Sequence, residues 1–193
     1  GGVNIDGATS SSYTLTQAEV GKIVTVSVNY TDGEGTFETV TSAATDAVVN
    51  VNDDPTGSVT VTGTATQGQT LTAANTLADA DGLGTLSYQW KAGGANIDGA
   101  TSSTYTLTQA EVGKTITASV SYTDGEGTSE TVTSAATQAV VNVNDDPTGS
   151  VTVTGTATQG QTLTADTSAL ADADGLGTLS YQWKAGGANI DGA

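Results

Sequence analysis

Between Thr115 and Tyr122 the chain alternates without a break. Ile116, Ala118, Val120 and Tyr122 fall on one side and Thr115, Thr117, Ser119 and Ser121 on the other. A period of two is the mark of a strand buried on one face. The same reading applies upstream. Val59 and Val61 share a face within Ser58–Gly63, and Leu71 and Ala73 point inward from Gln69–Ala73. Leu86, Tyr88 and Trp90 line one side of a third strand, with Ser87, Gln89 and Lys91 on the other. Ile97 pins a short edge strand ahead of the Asp98-Gly99 turn, and Tyr105 and Leu107 mark a further strand. Thr108–Gly113 is a turn that sends Val112 back inward, and after the turn at 123–128 a last strand is predicted over Glu130–Val143. About seven short strands separated by turn signals, with no sustained helical period, predict an all-β antiparallel sandwich.

This pattern is repeated. Asn52 returns as Asn144, an offset of 92 (144 − 52), and residues 4–73 differ from 96–165 at seven positions. One inserted residue near Asp166–Leu170 then makes the offset 93, as from Tyr88 to Tyr181. A period of about 90 residues is too long for a solenoid unit and fits one sandwich domain. The punctuation is Asn50-Val51-Asn52-Asp53-Asp54-Pro55-Thr56-Gly57, repeated letter for letter as Asn142–Gly149, and it contains both prolines of the chain. Proline cannot donate to a ladder and glycine relaxes the backbone, so this segment reads as a linker. Residues 1–52 are then the later part of one repeat, 53–145 a complete repeat, and 146–193 the earlier part of the next.

The chain opens with Gly-Gly-Val-Asn-Ile-Asp-Gly-Ala and closes with Gly-Gly-Ala-Asn-Ile-Asp-Gly-Ala, the same point of the repeat. With no leader at its start, it reads as an internal slice of a longer protein. Neither partial repeat closes two sheets alone, so Val24, Val26, Val28, Tyr181 and Trp183 are expected to face water. The two parts are complementary, and the C-terminal part is expected to be completed by the N-terminal part of the next segment along one fibre axis.

Composition narrows the function. There is no Cys, His or Met; 21 acidic residues stand against four basic ones, and the net charge is −17. Such a surface repels phosphate backbones and anionic lipid, and no apolar run reaches the length of a membrane span. Without His, Cys or Arg the ordinary general bases, nucleophile pairs and oxyanion clamps are missing, which argues against an enzyme. Trp90 and Trp183 read as core pins rather than stacking platforms, and Lys22 and Lys114 as solvated lysines rather than isopeptide formers.

The Trp of Tyr88-Gln89-Trp90, the later Tyr105-Thr-Leu-Thr-Gln-Ala-Glu-Val-Gly113 and the alternating strand after it resemble bacterial immunoglobulin-like repeats. The linker resembles the cadherin-type Asp-x-Asn-Asp-Asn-x-Pro junction and the acidic-proline linkers of giant bacterial surface adhesins. It departs in having Asn50 first and Pro55 directly after Asp54. The resemblance implies tandem immunoglobulin-like domains at an extracellular or cell-surface location, with structural calcium at the linkers. In such a sandwich the loop after the second strand, the last hairpin loop and the domain's N-terminus share one end. Asp79, Asp81, Asp124 and Glu126 are therefore expected to converge on Asn52, Asp53 and Asp54, and Asp172 and Asp174 on Asn144, Asp145 and Asp146. Glu19 and Glu111, in turns at the opposite end, would face Asn52–Asp54 and Asn144–Asp146. Calcium takes six to eight such oxygens, yet Asp, Asn and Gly are also what turns require for their own hydrogen bonds; both readings stand.

The expected role is a spacer or stalk repeat of a long surface adhesin or fibre, each bead about 40 Å long from strand rise plus linker. Its partners are the neighbouring repeats and other copies in a fibre, with neither nucleic acid nor an inserted membrane among them. The alternatives are self-association into a multi-chain filament or sheath through Thr-rich edge strands, or a module that holds a carbohydrate or host protein in its loops.

Overall fold

In the computed structural model, residues 2–192 are described, and all of their regular elements are short strands or single 3-10 turns. β1 (Ser27–Thr31) and β2 (Phe37–Thr41) form an N-terminal hairpin. Seven strands follow: β3 (Val59–Thr62), β4 (Thr70–Asn75), β5 (Ser87–Ala92), β6 (Ala95–Asn96), β7 (Thr104–Thr106), β8 (Ile116–Thr123) and β9 (Ser129–Thr133). They make two antiparallel sheets, one ordered β3-β4-β7 and the other β6-β5-β8-β9. The C-terminal flank carries two small antiparallel pairs, β10 (Thr152–Thr154) with β11 (Thr164–Asp166), and β12 (Lys184–Ala185) with β13 (Ala188–Asn189).

The two central sheets share one core because alternation on each strand presents an apolar face to the other. Leu71, Trp90, Leu107, Ile116 and Val120 are its most deeply buried large side chains. Trp90 sits opposite Ala118 in the β5–β8 register, where the small partner leaves room for the indole. Its Nε1–H donates to the Ser102 carbonyl at 2.9 Å, so the one polar atom of the ring is satisfied inside the core. The Tyr105 ring, from the opposite sheet, lies 6.1 Å away in a tilted arrangement.

The last strand differs from its predicted extent. Regular pairing stops at Thr133, because two hydroxyls take over the ladder: Ala118 N–H donates to Ser134 Oγ and Ile116 N–H to Thr137 Oγ1, each at 3.0 Å. These side-chain acceptors let the chain leave β8 without orphaning its amides. It then crosses to the other sheet, where Val140 bridges Val112 and Val141 bridges Thr66, both in parallel. Hydroxyls at two positions thus convert the long strand expected over Glu130–Val143 into a strand and a crossing segment.

Candidate functional site: the two inter-repeat junctions

The linkers are held by hydrogen bonds that the same residues make twice. In the first junction the backbone N–H of Asp53 donates to Asp81 Oδ2 at 2.7 Å, and Gln17 Nε2 donates to Asp81 Oδ1 at 2.7 Å. In the second, Asp145 N–H donates to Asp174 Oδ2 at 2.8 Å, and Gln109 Nε2 to Asp174 Oδ1 at 3.2 Å. One carboxylate thus ties together a linker amide and the 3-10 turn of the preceding repeat. Charged acceptors of this kind make the stronger class of hydrogen bond.

Each element earns its place from its sequence. The turns Gln17–Glu19 and Gln109–Glu111 are fixed by capping boxes: Thr16 and Thr108 accept from Ala18 and Ala110, while Glu19 and Glu111 reach back to Thr16 and Thr108. That leaves Gln17 and Gln109 free to project at the junction. The Asp81 loop is folded by Asp79 Oδ1, which accepts from Asp81 N–H at 2.9 Å, and Asp172 does the same for Asp174 at 2.8 Å. After each proline the linker docks on the loop's entry strand through Thr56 with Ala78 and Thr148 with Ala171. Gly57 and Gly149 adopt positive φ there, and any side chain would strike the Thr76 or Ala169 carbonyl.

The two junctions also have contacts of their own. Asn52 Nδ2 donates to Glu130 Oε1 at 3.0 Å in the first. In the second, Asn142 Nδ2 adds a third donor to Asp174 at 2.8 Å, and Gln67 grips the linker from both sides, accepting from Val143 N–H and donating to Asp145 Oδ2. The Asp145 amide, with the Asn142 side chain next, holds the Asp174 carboxyl below the usual carboxylate range.

The expected calcium ligands are thereby distributed among separate tasks. Asp81 and Asp174 hold linkers, and Asp79 accepts from Asp81 N–H and, through Oδ2, from the Tyr122 hydroxyl at 2.6 Å. Burial and that carboxylate push the Tyr122 phenol well above its ordinary value, so it stays a donor. Asp124 Oδ1 closes its own hairpin by accepting from Glu126 and Thr128 N–H. Glu126, Asn52, Asp53, Asp54, Asn144 and Asp146 are exposed, while Glu19 and Glu111 are buried in their capping boxes. Thr16, through its side chain first and then its backbone, holds the Glu19 carboxyl below its usual value. The loops of Asp81 and Asp124 do meet, Gly125 N–H donating to the Asp81 carbonyl at 3.0 Å. Among the described residues, however, no three acidic side chains gather as a group that holds a metal ion. As arranged, Asp79, Asp81, Asp124 and Asp174 accept from N–H and O–H donors.

Gln17, Gln109, Gln67 and Asn142 are amide side chains at the junctions that reading the sequence for carboxylates passed over, and Glu130 is a carboxylate outside the turns it searched. The only signal for Gln17 and Gln109 was position: they recur at the same place in each repeat, in turns whose caps are already complete without them. No family model, curated protein or solved structure matches the chain. Among the described residues no helix is long and apolar enough to cross a membrane.

Proposed function

We propose that the chain is a spacer: tandem immunoglobulin-like beads of a long extracellular surface protein, whose output is reach and a fixed angle between beads. The observation that carries this reading is the repeated clasp, in which Asp81 and Asp174 each bind a linker amide and a glutamine of the preceding repeat. A flexible tether needs no such construction, whereas a stiff rod needs it at every joint. The strand order, three strands facing four with Trp90 on the second sheet, supports the immunoglobulin-like assignment. A chain without His, Cys or Arg, whose buried tyrosine is held protonated, supports a mechanical rather than a catalytic role.

The test is to cut one clasp. Asp81→Ala leaves the Asp53 amide and Gln17 without their acceptor. Hydrogen exchange at Asp53 is expected to accelerate about ten-fold, the equivalent of one hydrogen bond to a charged group. X-ray scattering should show a broader distribution of shapes, with the midpoint of central-core unfolding little changed. Unchanged exchange and unchanged scattering would remove the basis for the spacer reading.

Calcium at the same joints is the second reading, and one atom favours it: Asp124 Oδ2 is buried with no hydrogen-bond partner. Thermal unfolding that is identical in excess chelator and in millimolar calcium would leave the hydrogen-bonded joint as the whole mechanism.

A further inference from the structure

We propose that the Asp54–Pro55 and Asp146–Pro147 bonds are built-in scission points, at which the aspartate side chain cuts its own peptide bond with water and so separates one bead from the next. The chemistry rests on the linkers alone. Only its consequence, the shedding of whole beads, rests on the spacer reading, so the two fail separately.

Both prolines of the chain follow an aspartate, and both pairs lie inside a linker. In each linker the bond in question sits between two fixed points. Upstream, Asp53 N–H donates to Asp81 Oδ2 at 2.7 Å, and Asp145 N–H to Asp174 Oδ2 at 2.8 Å. Downstream, Thr56 N–H donates to the Ala78 carbonyl at 2.8 Å, and Thr148 N–H to the Ala171 carbonyl at 2.7 Å. Asp54-Pro55 and Asp146-Pro147 span the gap outside any strand, and both aspartates are exposed. Among the described residues their carboxylates accept no hydrogen bond, although the adjacent Asp145 carboxylate is engaged by Gln67. Water has access to the bond, and the carboxylate is at liberty to turn onto its own main-chain carbonyl.

Proline decides which reaction the aspartate undergoes. Before any other residue, as at Asp81-Gly82 and Asp124-Gly125, the following N–H can attack the side-chain carboxyl and close a succinimide. That route isomerises the chain without cutting it. Proline has no N–H, so the route is shut. The reverse attack remains: one Asp54 carboxylate oxygen adds to the Asp54 main-chain carbonyl carbon. The bond from that carbon to the proline nitrogen breaks, and the nitrogen leaves as an amine, having taken its proton from an acidic solvent. Water then opens the cyclic anhydride, leaving Asp54 as a new C-terminus and Pro55 as a new N-terminus. The net change is hydrolysis of one bond, with nothing oxidised or reduced. A nucleophile carried by the same residue needs no encounter step, an advantage that an external water lacks.

The cuts fall where the fold loses least. Every residue of the central core, from Val59 to Val140, lies between Pro55 and Asp146, and so do β3 to β9. Cutting both linkers therefore releases residues 55–146 with both sheets intact. The Thr56–Ala78 contact stays inside that piece. What bridges the first cut is the clasp of Asp53 and Gln17 on Asp81, with Asn52 on Glu130 beside it. A few hydrogen bonds suffice to set an angle within one covalent chain, but they do not offset the freedom gained when two molecules separate. The same linker thus fixes the joint while its peptide bond is whole and frees the bead once that bond is broken.

Incubation of the full chain in warm, mildly acidic buffer, at a pH where far-UV circular dichroism still reports the strands, tests this by intact mass spectrometry. The expected products are residues 1–54, 55–146 and 147–193, formed no more slowly than in the same buffer with urea. The 55–146 piece is expected to keep its strand signal. Asp54→Asn removes the first nucleophile and Pro55→Ala the leaving group. Each is expected to lose the cut after residue 54 while the cut after Asp146 continues in the same molecule as an internal control. Hydrogen exchange at Asp53, which reports the joint, is read on the uncut chain and is independent of these outcomes. A native chain that stays whole while the urea-unfolded chain is cut would overturn the proposal, because the linker would then shield the bond. So would an Asp54→Asn chain still cut after residue 54, which would assign the break to solvent acid alone, or fragments that begin inside a bead.

Discussion

Residues 116–122 and 24–30 carry nearly the same sequence in different company. In the centre, β8 runs from Ile116 to Thr123 between β5 and β9, and Val120 is 0% exposed. In the N-terminal flank the equivalent strand begins only at Ser27, has β2 alone beside it, and leaves Val28 57% exposed. What survives in the flank is the side that needs no distant partner. The hairpin register is kept, and Val26 N–H still donates to Ser42 Oγ as Ala118 does to Ser134 Oγ. On the other side β1 has no paired strand among the described residues, and regular strand is not assigned over Val24–Val26. Alternation thus encodes which face is to be buried, while the strand itself forms only where another strand arrives to pair with it.

Substitution at paired positions sharpens this difference. The largest effect is expected at the tryptophans. Trp90→Ala should destabilise the central repeat by about 3–5 kcal/mol, since it empties the centre of a closed core. Trp183→Ala in the C-terminal flank should leave the unfolding midpoint of the central repeat unchanged. Denaturant unfolding followed by circular dichroism measures both, and equal losses at the two sites would mean that the flank is already a closed core.

A smaller contrast lies in the hydroxyls that end the hairpins. Ser134 is buried, accepting from Ala118 N–H and donating to the Ala135 carbonyl. Ser134→Ala leaves a buried amide unpaired and should cost about 1–3 kcal/mol. Ser42 makes the corresponding bonds in the open, where water replaces the lost partner, so Ser42→Ala should fall within about 0.5 kcal/mol. The same unfolding curves, read against hydrogen exchange at Ala118 and Val26, distinguish a local from a global loss.

Legibility followed the same division. Most strands, the buried face of each and the core position of Trp90 could be read from alternation, because a period of two fixes side-chain direction before any partner is known. The break after Thr133 could not, because Ser134 and Thr137 look like any outward-facing hydroxyls until their bonds to β8 are seen. The junction was half legible. Asp81 and Asp174 stood out as linker-facing carboxylates, but the backbone amides and glutamines that donate to their oxygens did not. Charge is conspicuous in a sequence, whereas an amide that neutralises it is common to every residue.

The smallest expected effect concerns pH and separates joint from core. Asp174 accepts from the Asp145 amide and from Asn142 and Gln109, which lowers its carboxyl below the ordinary aspartate value. A depressed folded value means that the carboxylate form supports the joint above the unfolded value. That support is lost as the pH falls through the folded one. The second junction should therefore be unaffected from neutrality down to the usual carboxylate range and loosen only below it. The paired core strands, held mainly by apolar side chains and main-chain ladders, make no contact with Asp174. The Asp145 amide chemical shift reports the transition directly. Asp174→Asn should abolish the pH dependence while retaining part of the contact, since the amide oxygen still accepts one hydrogen bond. An Asp145 shift that titrates identically in the variant would assign the acid response to another carboxylate, and the clasp would then contribute nothing to it.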